Sequence, residues 1–138
     1  MNARVFWLFS GSIWGLYAFA LALPAENAHR FEGDPVGPVL GYQALLGLWV
    51  MPVVVVEGAN LALIVGWLML LSKRPWPVVW CGLIGTLAAL TPCFGVLADV
   101  GTLGLGYWLW LASIVLLLGG GLWGVRDLAS ASAVARDR

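Results

Sequence analysis

Glu57 is the only charged residue in an otherwise apolar stretch running from Pro35 to Ser72. Asn60 follows three residues later, which puts both polar groups on one face of a helix. An acid at the middle of a membrane span costs roughly 2.5–3.5 kcal/mol on insertion scales. Such a residue therefore needs a reason to be there. One reason is a proton, a cation or a polar ligand. The others are structural: a carboxyl bonded to Tyr or Thr, an acid reaching the outer headgroups, or a pair with a basic residue of another subunit. The same depth argument brings Tyr17, Thr91, Cys93 and Tyr107 toward the same end of the molecule. Glu57, Asn60, Tyr17, Thr91 and Tyr107 thus make a candidate intramembrane polar site. The structural reading of it takes precedence over transport.

Other chemistries find little to work with. His29 is the single histidine and falls in a loop beside Glu26, Glu32 and Asp34, at no zinc-ligand spacing. One imidazole cannot supply two axial haem ligands. Cys81 and Cys93 lie about 18 Å apart along one helix, beyond disulfide reach, and form no C-x-x-C pair. There is no Ser-His-Asp set, phosphate loop or carboxylate pair, so an enzyme acting alone is not expected. Catalytic residues, metal and cofactor are all expected to be none.

The elements that must hold these residues follow from composition. Of 138 residues, 62% are hydrophobic and 10% charged, and the mean hydropathy is +0.94. A soluble domain carries about 25% charged residues, so this chain reads as an integral membrane protein. Seven basic and seven acidic residues balance to zero, which excludes a broad basic face for nucleic acid. A bilayer core of about 30 Å needs about 20 apolar residues in helix. Four spans fit, roughly 5–23, 50–71, 77–98 and 103–125. Their hydrophobicity is continuous rather than alternating, which favours helices over a barrel. The expected fold is an all-α, four-helix transmembrane up-down bundle forming one domain over 1–138.

The second apolar run is too long for one span. Pro52 is expected to kink it, leaving 39–51 as the same helix continued or as a separate interfacial helix. Pro92 is expected to kink the third span. The segment 24–38 has the acids, prolines and glycines of an irregular outer loop. The first run has features of a secretory signal, but its length and its Trp7 and Trp14 favour a retained helix. The tail 126–138 is expected to be a frayed helical extension.

Lys and Arg placement sets orientation. Arg4, Lys73, Arg74, Arg126, Arg136 and Arg138 fall on one side of an alternating bundle, and only Arg30 falls on the other. Both termini should therefore be cytoplasmic, and the expected location is a bacterial inner membrane. Trp7, Trp76, Trp80 and Trp123 mark the inner interface, and Tyr42, Trp49, Tyr107 and Trp108 the outer one. Trp14 and Trp67 sit deeper and should pack between helices. Gly11 with Gly15, and Gly120 with Gly124, match G-x-x-x-G, and Gly58, Ala62 and Gly66 make a small-residue stripe. These seven residues are the candidate helix-packing positions.

Two resemblances bear on the reading. A four-helix protein with one membrane glutamate is similar to the small multidrug-resistance exporters. There the acid is in the first helix and the topology bias is weak, so that likeness is set aside. The stretch Glu57-Gly-Ala-Asn-Leu-Ala-Leu-Ile-Val-Gly66, followed by Lys73-Arg74, resembles the second helix of DoxX-like membrane proteins. That likeness implies a link to quinone or sulfur redox systems, but the family's first-helix pattern is missing and no membership is drawn from it.

The sequence thus points first to a small non-catalytic accessory or structural subunit of a larger membrane assembly. Its expected partners are the lipid bilayer and other membrane subunits or further copies of itself. The second reading is a small transporter or channel-like protein using Glu57 and Asn60. The third is a quinone- or lipid-linked redox accessory.

Overall fold

A computed structural model describes residues 3–26, 39–42, 53–91 and 103–136. In chain order the elements are α1 (Ala3–Ala22), β1 (Pro24–Glu26), β2 (Val39–Leu40), α2 (Val53–Leu71), α3 (Pro75–Leu90) and α4 (Leu105–Arg136). Pro52, Pro92, Cys93, His29, Trp49 and the segments 27–38 and 43–52 lie outside the described residues. The expected kinks, and the helix expected over most of 39–51, fall there.

The described residues are mainly helical and form four helices. Two stretches, Val5–Ala22 and Leu105–Ala133, are long and apolar enough to cross a membrane. The apolar runs Glu57–Leu71 and Pro75–Leu90 are shorter. Helix α4 continues beyond the expected span end at 125 as far as Arg136.

Helix α4 is the central element, packed along α1 on one side and α3 on the other, while α2 packs on α3. Each of these helices contributes to one buried aliphatic core: Ile13 from α1, Leu63 and Leu70 from α2, Val78 from α3, and Ile114 and Leu117 from α4. The α3–α4 seam is built by small residues at helical spacing. A Cβ on Gly82 would come within 2.7 Å of the Leu118 Cα, and one on Gly121 within 2.9 Å of the Val79 backbone N. The two backbones therefore touch where only hydrogen can stand. Gly85 sits at a three-helix junction beside Ile114 and Ala62.

The α2–α3 turn is a Schellman motif. Lys73 N–H donates to Leu70 O and Arg74 N–H to Met69 O, both at 3.1 Å. Lys73 takes the left-handed conformation, φ 55°, where glycine is usual. Pro75 then opens α3 at a position that needs no N–H donor.

The other end of the bundle is tied differently. Strands β1 and β2 pair antiparallel, a ladder that the sequence reading did not anticipate within the loop and at Val39–Leu40. Gly41 N–H donates to Leu23 O and Gly104 N–H to Ala25 O, each at 2.9 Å. The chain after α1, the β2 segment and the start of α4 are thereby laced together through their backbones.

Candidate functional site

The polar residues of the candidate site lie toward the laced end. Asn60 of α2 accepts a hydrogen bond at Oδ1 from Trp110 Nε1 of α4, at 2.8 Å. One turn earlier on α4, the Tyr107 hydroxyl donates to the carbonyl oxygen of Ala89 in α3. The Tyr107 and Trp110 rings touch, with centroids 5.7 Å apart. Three helices thus meet through one connected set of side chains. Tyr107 and Trp110 are buried, so each donor's alternative to its bond is an unsatisfied group in an apolar interior.

The remaining members stand apart. The Thr91 hydroxyl turns back onto Leu87 O of its own chain segment. Tyr17 packs edge-on against Trp14 in α1, ring centroids 5.6 Å apart. Glu57 is half-buried one turn before Asn60 and makes no hydrogen bond or ion pair with any described residue. The structure therefore brings Asn60 and Tyr107 into one seam, and leaves Glu57, Thr91 and Tyr17 outside that hydrogen-bonded set.

A second polar cluster joins α1 to α2. Trp67 Nε1 donates to Ser10 Oγ at 2.8 Å, and the Trp14 and Trp67 rings meet edge to face at 5.3 Å. Trp14 Nε1 is buried with no acceptor among the described residues. The expected packing role of Trp14 and Trp67 is seen here directly. Ser10 and Trp110, which complete the two inter-helix bonds, were not singled out in the sequence. A Ser or a Trp in an apolar run carries no sign of its partner, and both partners lie more than 45 residues away.

The small residues divide into two groups. A Cβ on Gly66 would press on Leu117 and Cys81, and one on Gly124 on Pro75, while Gly120 lies against the Phe9 ring and Ala62 beside Gly85. Gly11, Gly15 and Gly58 have no described residue within 4 Å of a Cβ position. Gly11 and Gly58 are exposed and Gly15 is half-buried, near exposed Trp7, Leu8, Phe19 and Leu61 along their helices.

Fold and site together define a small helical protein with an apolar exterior and two helices fit to cross a membrane. No protein-family pattern, no curated protein and no solved structure matches the chain.

Proposed function

We propose that the chain is a four-helix membrane subunit that serves a larger assembly by packing helices, without chemistry of its own. Both termini would be cytoplasmic, in a bacterial inner membrane. The observation that carries this reading is where the interior polar groups are spent. Asn60, Ser10, Trp67, Trp110 and Tyr107 are engaged in bonds between helices, which hold the bundle and leave little to act on a substrate. The outside is apolar and carries unfilled small-residue positions, as a surface for lipid and neighbouring helices would.

Purification in mild detergent tests it. Stable co-migration with a larger membrane protein is the expected result, and a chain that runs alone from native membranes would overturn it. Transport through Glu57 is the second reading, favoured by the one observation that Glu57 has no described partner. It requires ion or substrate flux in liposomes that Glu57→Gln abolishes.

A further inference from the structure

Lys73 and Arg74, in the α2–α3 turn, are both exposed. Lys73 holds a left-handed backbone, φ 55°, which glycine would adopt at less cost. The turn thus keeps a charged side chain where its geometry favours none. Next along the chain, Trp76 and Trp80 stand one turn apart on α3, each 59% exposed. Ile84 and Leu87, also exposed, continue the same side of the helix. From Trp76 to Leu87 is about 16 Å, close to half of a hydrocarbon core of about 30 Å. Read along α3, the order is two cations, two indoles, then aliphatic side chains.

We infer that this corner of the bundle selects an anionic phospholipid, its phosphate at Lys73 and Arg74 and an acyl chain along α3. The inference rests on the membrane-subunit reading and adds the lipid class that the surface recognises. Charge complementarity identifies the head. The chain has seven acids, and five belong to the laced end or its side of the bundle. Glu26 ends β1, Glu57 lies near the start of α2, and Glu32, Asp34 and Asp99 fall in connections that leave and rejoin that end. Asp127 is half-buried and already partnered. Asp137 follows Arg136, about 18 Å along α4 from Gly124, the residue that lies against Pro75. Cations beside an anionic leaflet attract its headgroups, and indoles favour the level between headgroup and acyl chain. A free anion would use the cations alone. The indoles and aliphatic side chains beneath them select an amphiphile.

Native mass spectrometry of the full chain in mild detergent, with any subunit that co-migrates, tests this. Phosphatidylglycerol and phosphatidylcholine with the same acyl chains are titrated separately. The expected result is tighter binding of phosphatidylglycerol. Lys73→Gln and Arg74→Gln should each weaken that binding about fivefold, as loss of about 1 kcal/mol per cation would do, and leave phosphatidylcholine unaffected. Lys73→Arg and Arg74→Lys should retain it. Arg30→Gln, which removes a cation from the sequence between β1 and β2, should not alter it, and inorganic phosphate should not displace the lipid. Equal binding of the two lipids, an equal loss with Arg30→Gln, or displacement by inorganic phosphate would overturn the inference. A chain that prefers neither lipid and still co-migrates with a larger membrane protein would overturn this inference alone. A chain that stays soluble without detergent and binds neither lipid would overturn the membrane reading with it.

Discussion

The two interior tryptophans Trp110 and Trp14 differ in one atom's circumstances. Trp110 Nε1 has Asn60 Oδ1 at 2.8 Å, whereas Trp14 Nε1 is buried with no acceptor among the described residues. Replacing either by Phe removes the N–H and a similar amount of ring. The difference between the two variants therefore isolates the hydrogen bond. Inter-helix bonds in membrane bundles average about 0.6 kcal/mol and reach about 1.7. Trp110→Phe should cost about 1 kcal/mol more than Trp14→Phe, because it also strands the half-buried acceptor of Asn60. Thermal unfolding followed by circular dichroism in detergent measures this, and equal melting temperatures would show that the Asn60 bond contributes nothing. Lys73 makes a second case. Its left-handed backbone, φ 55°, costs an L-residue about 1–2 kcal/mol. Lys73→Gly should therefore raise the melting temperature, by an amount equivalent to about 1 kcal/mol. A fall would mean that the Lys73 side chain contributes more than its backbone costs. Asn60 was readable as a polar residue within an apolar helix, on the face of Glu57 three residues earlier. Its acceptor role was not readable, since nothing local to either residue links it to Trp110.

Both G-x-x-x-G pairs look the same in sequence, and the structure treats them differently. Gly120 and Gly124 touch Phe9 and Pro75, while Gly11 and Gly15 meet no described residue. Spacing marks a smooth helix face but not which neighbour, if any, lies on it. A close backbone-to-backbone seam is made by Gly82 and Gly121, which belong to neither of the two G-x-x-x-G pairs singled out. Gly82→Ala would place a Cβ 2.7 Å from the Leu118 Cα. Backbone must move, and overpacking of that kind costs about 1–3 kcal/mol. Gly11→Ala and Gly15→Ala meet nothing, and in the isolated chain they should be neutral or stabilising by about 0.4–1 kcal/mol through a less flexible unfolded chain. Melting temperatures of the three variants in detergent decide it, and an ordering with Gly82→Ala as the most stable would contradict the α3–α4 packing. The helices themselves were legible because long apolar runs leave the backbone no other partner in lipid. The β1–β2 ladder was not, because its three- and two-residue strands are too short to show alternation and owe their pairing to the helix ends that bring them together.

The assembled bundle has chemically different ends. At one end the α2–α3 turn carries Lys73 and Arg74, and α1 begins with Arg4 in its first turn. At the other, β1 ends on Glu26, and the sequence between β1 and β2 holds Glu32 and Asp34 against a single Arg30. Helix α4 ties the ends together. Its 32 residues extend about 48 Å, against a hydrocarbon core of about 30 Å. Counted from Leu105, the core is crossed by about residue 125, and Arg126 is the first charge the helix meets. The remaining turns, with Ser130 and Ser132 bonded to their own helix carbonyls, then project on the basic side. The proposed orientation, with the basic end in the cytoplasm, follows the Lys and Arg asymmetry. Reporters fused after Arg138 and inserted between Lys73 and Arg74 should read cytoplasmic, and one at Glu32 should read external. An even number of crossings is required for the first two to agree with the start of α1. If α2 and α3, whose apolar runs are the shorter ones, did not cross, then α1 and α4 would still return the C-terminus to the cytoplasm. Either arrangement puts Glu32 and the C-terminus on opposite sides. The reporter at Lys73–Arg74 is then the one that separates four crossings from two. A cytoplasmic signal there requires α2 and α3 to span, and an external signal would leave α1 and α4 as the only crossings.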